Sequence, residues 1–189
     1  MKIILASHNK HKVKEISDIL GSNYEILSLS DLNYQEDIIE NGNSFKENAY
    51  IKAKTIYDLY HYPVLSDDSG LEVDALGGKP GIYSQRYSGG DSLDNIHKLL
   101  NELQGVSNRK ANFTCVLCLY MNPDNVLYFE GKCYGEIANE MSGYNGFGYD
   151  PVFLYNGKSF ASMGEIEKDK VSHRYNALIK LKEYLEKDE

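Results

Sequence analysis

The chain of 189 residues predicts an α/β or mixed α+β fold. Strand-like and helix-like segments alternate from end to end, with no linker, repeat or low-complexity tract between them. Two long strand patterns joined by the turn residues NPDN read as an antiparallel hairpin, so the sheet is expected to be mixed. At this length one domain, or two closely fused lobes, buries a sizeable core without disulfides or metals, and residues 1–189 read as one domain.

KIILA opens the chain as a short strand. After the polar turn SHNK a helix runs to Leu20, where Gly21 stops it. YEILSL reads as a second strand. SFKENAYIKAKTIYDLYHY is a long helix opened by the capping box Ser44-x-x-Glu47, in which each side chain satisfies a free backbone donor. PVLSDD and LEVDAL follow as strand segments, the second alternating Leu71, Val73 and Ala75 against Glu72 and Asp74. GGKPG is a loop and SLDNIHKLLNEL a helix. KANFTCVLCLYM and NVLYFEGKCYGEI form the hairpin, and the glycine-rich SGYNGFGYDP leads into a last strand, VFLY. Ser172 caps a C-terminal helix, HRYNALIKLKEYLEK.

A formal charge of -8 argues against a protein that grips nucleic acid through its general field, so an anionic ligand must meet locally arranged cations. No run approaches the roughly 18 apolar residues of a membrane span, and the N-terminal apolar stretch is too short for a signal peptide, which predicts a cytoplasmic protein. Of the three cysteines, Cys115 and Cys118 form a CxxC, but on a strand positions i and i+3 face opposite sides. Buried reduced thiols are expected rather than a metal or redox pair.

Cations interrupt three apolar helix stripes at about 100° per residue. Lys52 falls among Phe45, Ala49, Ala53, Ile56 and Tyr60. Lys12 falls inside the arc of Val13, Ile16, Ile19 and Leu20, and Arg174 near the centre of Ala177, Leu178, Leu181 and Leu185. Each alone also reads as a snorkelling side chain. Together, with Lys12 and Arg174 in first turns where free N–H groups attract anions, they suit a bound polyphosphate. The common phosphate loops are absent: NGKS lacks the first glycine of a P-loop, that position being Val152, and GFGY does not match GxGxxG. SDDSG places Asp67 and Asp68 side by side at what reads as a strand end. Such a stretch also suits a solvated turn, as Glu40 in IIENGNS suits a turn or cap. Beside phosphate-binding cations, Glu40, Asp67 and Asp68 become hard oxygen donors for Mg²⁺, and metal, phosphate and carboxylate together mean hydrolysis or transfer at phosphorus.

SHNKHKVKE, ENGNSFKENAYIKA, SDDSGLEVDALGGKPGIYSQRYSG, GFGYDPVF and SHRYNAL, in this order over nearly the whole chain, resemble the inosine triphosphate pyrophosphatase family of non-canonical purine nucleoside triphosphatases. The resemblance implies a homodimer whose long curved mixed sheet carries two lobes. Between them a triphosphate such as ITP, dITP or XTP is cleaved to a monophosphate and pyrophosphate with Mg²⁺. It further implies that Ser7, Asn9, Lys12, Lys52 and Ser69 hold the phosphates. Glu40, Asp67 and Asp68 would serve the metal, and Asp68 would be the general base. Phe147, within the stretch Phe147, Gly148, Tyr149 and Asp150, would stack on the purine, while Asp150, His173 and Arg174 read its edge. Lys168 would also approach the substrate, and Arg86 is a further candidate. Two positions depart from the family's pattern: His8 replaces a glycine of the first motif, and Ser162 stands where glutamate is common. A sister family of nucleotide pyrophosphatases with a similar fold and a non-enzymatic nucleotide sensor are the competing readings. Substrate choice separates the first and pyrophosphate release the second. A Nudix hydrolase is disfavoured because no REUxEE-like helix is present.

Overall fold

The structure, a computed structural model, describes residues 1–187, of His11 the backbone alone. The chain runs through β1 (Lys2–Leu5), α1 (Lys10–Leu20), β2 (Glu25–Ser28), α2 (Phe45–Tyr60), β3 (Val64–Val73), α3 (Ser92–Glu102), β4 (Lys110–Asn122), β5 (Asn125–Ile137), β6 (Phe153–Tyr155), β7 (Lys158–Ser159), α4 (Glu165–Asp169) and α5 (His173–Lys187). The strands form one sheet in the order β2-β1-β3-β4-β5-β6-β7. β1 is parallel to β2 and β3, whereas β6 is antiparallel to β5 and β7, so the sheet is mixed as expected. Among the described residues no helix is long and apolar enough to cross a membrane.

The chain divides into two compact units. The first comprises Met1–Asp68, Cys115–Gly131 and the chain from Ala177; the second comprises Ser69–Thr114 and Lys132–Asn176. In the first, the sheet buries apolar residues on both faces. Ile3, Leu5, Leu65 and Leu117 pack with Ile16 of α1 and Leu178 and Leu181 of α5. Ile4, Val64 and Cys118 pack with Ala49, Ala53 and Ile56 of α2. Cys115 and Cys118 fall into these two different clusters, as the strand period requires, and all three cysteines are buried and form no disulfide. Burial pushes the Cys118 thiol up to about 12, which keeps it protonated and unreactive. The second unit packs Ile96, Leu99 and Leu103, on and just after α3, with Leu71, Val73, Phe113, Phe153 and Phe160.

Helix ends follow the local chemistry, with one difference. Gly21 ends α1 at φ +82°, and the Ser172 hydroxyl accepts the Tyr175 N–H at the start of α5. Ser44 accepts the Glu47 N–H, but Glu47 reaches back to the N–H of Asn43 instead of Ser44, which ties down the loop before α2. PVLSDD and LEVDAL are one continuous strand up to Val73, with Ala75 exposed in a short turn of 3₁₀ helix beyond it. VFLY is not the last strand: NGKS forms a tight turn, with Asn156 and Gly157 at positive φ, that returns as β7. α4 was not expected.

Candidate active site

The first unit builds its site at the carboxyl ends of parallel strands. β1 pairs Leu5 with Leu65 of β3 and then stops, while β3 runs on through Asp67 and Asp68. Open α/β sheets bind ligands at such an edge. The turn after β1 is held from within. The Ser7 hydroxyl accepts the Asn9 N–H at 3.1 Å, and the Asn9 side-chain carbonyl accepts the Lys12 N–H at 3.3 Å, capping α1. With its carbonyl used on the helix, Asn9 offers an anion only its NH₂. His8 has no left-handed φ, so this turn does not require the glycine it replaces; the ring lies 3.3 Å from the Ser30 hydroxyl and faces Tyr34.

Asp67 and Asp68 lie within β3, not at its end, and successive residues of a strand point to opposite faces. Both Asp67 oxygens accept from Lys12 Nζ at 2.9 Å. Asp68 instead hydrogen-bonds the Asn48 side chain of α2. One turn along α2, Lys52 pairs with Glu40. Burial raises the Asp68 pKa to about 6; Lys52 opposes the shift, Glu40 adds to it, the Asn48 bond opposes it, and Asp67 adds to it. Burial also works against the Lys52 charge, but Asp67, Glu40 and Asp68 together outweigh it and hold the ammonium above the usual lysine range. The apolar-stripe lysines are thus not snorkelling: both point into carboxylates.

Two buried oxygens of β3 have no hydrogen-bond partner, Asp68 Oδ2 in the first unit and Ser69 Oγ in the second. Buried oxygens are nearly always satisfied, so both mark a place for a ligand. Among the described residues no three His, Cys, Asp or Glu side chains converge as a ready-made metal cage. Mg²⁺ does not require one, since one or two carboxylates and substrate phosphate oxygens suffice. The all-oxygen donor set and the orphaned Asp68 Oδ2 fit such an ion. Asp67 stands apart from Asp68, engaged through both oxygens by Lys12.

The second unit carries a different arrangement. Asp150 is buried, and its Oδ2 accepts the Phe147 N–H at 3.0 Å and Lys168 Nζ at 2.5 Å. It therefore shapes the 147–150 loop instead of presenting a free carboxylate. Gly146 allows this approach, because a Cβ there would lie 2.0 Å from Asp150 Oδ2 and φ is +76°. Gly148 also has a left-handed φ, of +58°. Tyr149 turns inward, its hydroxyl donating to the Ser84 carbonyl at 2.6 Å, so only its backbone is available. The Phe147 ring remains 71% exposed, with Lys168 Nζ 4.7 Å from its centroid. His173 stacks on Phe113 at 4.9 Å, which fixes its ring at the start of α5 beside Arg174. Arg86 lies over the Tyr83 ring, outside these contacts. Ser162 shares a hydrogen bond with Ser159, and its N–H is accepted by the same hydroxyl, a local cap that needs no carboxylate.

Sequence reasoning passed over Asn48 and Gly146. The signal for Asn48 was its spacing, four residues before Lys52 and so on the same side of α2.

The Ham1 family model matches residues 3–184. Among curated relatives, the dITP/XTP pyrophosphatase of Christiangramia forsetii is 47% identical over 191 residues, covering 99% of this chain and 100% of its own. That of Bacillus subtilis is 43% identical over 97% of this chain and 96% of its own length. Among solved structures, the Ham1 protein of Staphylococcus aureus superposes with a TM-score of 0.94 at 38% identity, each chain covered in full. A dITP/XTP pyrophosphatase from Mycobacterium abscessus gives 0.81 at 41% identity over 96% of this chain and 98% of its own. A fold shared with these structures, and sequence identity carried across both units, make this chain a member of the Ham1 family.

Proposed function

We propose that this chain hydrolyses non-canonical purine nucleoside triphosphates, among them dITP, XTP and ITP, to the monophosphate and pyrophosphate. Near full-length relatives carry the name dITP/XTP pyrophosphatase. The observation that carries the reading is the half-buried Asp68 carboxylate beside Lys52, whose buried Oδ2 has no partner and would accept a hydrogen bond from the attacking water.

Lys12 and Lys52, held on Asp67 and Glu40, are placed to exchange those carboxylates for phosphate oxygens, with Asn9, Ser7 and Ser69 adding hydrogen bonds. Asp68 takes the proton from the attacking water as its oxygen bonds to the α-phosphorus, and the bond to the pyrophosphate oxygen breaks. A pKa raised to about 6 makes Asp68 a better proton acceptor than an ordinary aspartate while leaving it ionised at neutral pH. Glu40 and Asp68 would hold Mg²⁺, joined by Asp67 once Lys12 has exchanged it for phosphate oxygens. When bound, that ion neutralises charge on the phosphates and the departing pyrophosphate.

Base choice belongs to the second unit. Phe147 offers an exposed face for stacking, Asp150 braces its loop with Lys168, and Arg174 and His173 meet the purine edge. A guanidinium has donors and no acceptor, so it favours an oxygen at purine position 6 over an amino group. In this reading the two units work as one enzyme domain in a cytoplasmic homodimer. Incubation with dITP and Mg²⁺ is expected to release pyrophosphate stoichiometrically with monophosphate. Orthophosphate as the first product would move the attack to the γ-phosphorus and overturn the mechanism; binding without turnover would identify a sensor.

A further inference from the structure

We propose that Asn48 is a positioning residue, whose amide holds the Glu40 loop with one end and the Asp68 carboxylate with the other. Its side chain is buried, with 2% of the residue exposed, on the side of α2 that also carries Lys52. Asn48 Oδ1 accepts the Gly42 N–H at 2.8 Å. A backbone N–H can only donate, so the carbonyl end must face the loop, and the NH₂ end is the one that meets Asp68. An ionised carboxylate can only accept, so both contacts are satisfied by one orientation of the amide. Aspartate in its place would keep the first contact and set carboxylate against carboxylate at the second.

The loop is pressed onto this side chain. A Cβ on Gly42 would lie 2.8 Å from Asn48 Oδ1 and 2.7 Å from Glu47 Cβ, too close for either to stay. Two residues before Gly42, Glu40 pairs with Lys52. α2 therefore grips the loop through its backbone and through its carboxylate from successive turns. On the other side, Asp68 Oδ2 has no hydrogen-bond partner. A carboxylate with one oxygen tethered cannot spin, so the Asn48 contact decides which oxygen faces the reacting water. This inference rests on the reading of Asp68 as the base.

The test compares Asn48→Asp, Gly42→Ala, Asp68→Asn and the double variant Asn48→Asp with Asp68→Asn. Turnover of dITP is measured for each, with calorimetric binding of a non-hydrolysable α,β-imido triphosphate and circular dichroism to establish folding. Asn48→Asp is expected to lower kcat by about 10- to 100-fold, the usual cost of losing a group that orients a reacting one. KM and the analogue Kd should stay within about threefold. Adding Asn48→Asp to Asp68→Asn should cost under about threefold more, because the carboxylate it acts through is already gone. Gly42→Ala, expected to lower kcat by about tenfold, carries the test through the other end of the amide if Asn48→Asp does not fold.

Wild-type kcat in Asn48→Asp or, where that variant does not fold, in Gly42→Ala overturns the proposal, as does a full multiplicative loss in the double variant. Those results beside an inactive Asp68→Asn leave the base assignment standing. Near-normal turnover in Asp68→Asn alone overturns that assignment and this proposal with it.

Discussion

The two units solve opposite electrostatic problems with the same residue types. In the first, Lys12 and Lys52 sit on Asp67 and Glu40, and Asp68 retains a buried oxygen without a partner. In the second, the Asp150 oxygen that meets Lys168 also accepts the Phe147 N–H. A carboxylate with an unsatisfied oxygen is available for chemistry; one bonded to its own loop is a strut. The difference teaches that the same ion-pair chemistry leaves an open acceptor in the first unit and braces a loop in the second; under the proposed function the first would set the rate and the second the fit of the base.

The largest effect should come from breaking the first side of this comparison. Asp68→Asn keeps the shape and removes the proton acceptor, and is expected to lower kcat by about 10²- to 10⁴-fold with little change in KM, read by pyrophosphate release. Turnover near wild type would mean that the reaction does not depend on this carboxylate. Next comes selectivity. Arg174→Ala is expected to narrow the ITP-to-ATP ratio of kcat/KM by about 10- to 100-fold, whereas Lys12→Ala should weaken both nucleotides alike. An unchanged ratio in the arginine variant would remove Arg174 from base recognition.

A smaller effect follows from Gly146→Ala, which forces a methyl group against the Asp150 strut. KM for ITP should rise about tenfold, equivalent to about 1.4 kcal/mol, with kcat changed less. Loss of kcat with KM unchanged would place this loop in the chemistry instead.

The smallest effect concerns stability without metal or nucleotide. The folded Asp68 pKa of about 6 lies above its ordinary 3.8, so between those pH values the native chain holds the proton that the unfolded chain has lost. Stability falls as pH rises through that window, and the penalty is fully present above it. Asp68→Asn should therefore melt a few degrees higher than wild type at pH 8, at about 2–4 °C per kcal/mol for a chain of this size. The gain should vanish near pH 4. Calorimetry in chelator that finds a lower midpoint at pH 8 would mean that burial is not the larger influence on this carboxylate.

Much of this was legible in the sequence because local chemistry and packing agreed. Gly21, Ser44 and Ser172 mark helix ends that the structure keeps, and the lysines inside apolar stripes pointed to buried anions. β3 was misread as two pieces because Ser66, Asp67, Asp68, Ser69 and Gly70 are all turn formers. Placement between β1 and β4 overrides that preference, and strand propensity depends on neighbours that a sequence does not display. Reading a strand end there also concealed that Asp67 and Asp68 face opposite ways. α4, five residues long, is too short to reveal a period. Asn48 looked like any polar residue on a helix, since its importance lies in two partners distant in the chain, Gly42 across a loop and Asp68 across the fold of the first unit.

The outermost strands of the sheet are β2, with four residues, and β7, with two. An exposed strand edge is a template on which another chain can crystallise its own backbone bonds, and its hazard grows with its length. Here both end templates are short, and β6 covers β5 only at Glu136 and Ile137; farther back along β5 the Lys132 and Glu130 carbonyls accept from Asn176 and Lys180 side chains instead of from a strand. A chain that unfolds momentarily beside its neighbours thus meets two short end strands and, on β5, carbonyls already occupied in part by side chains.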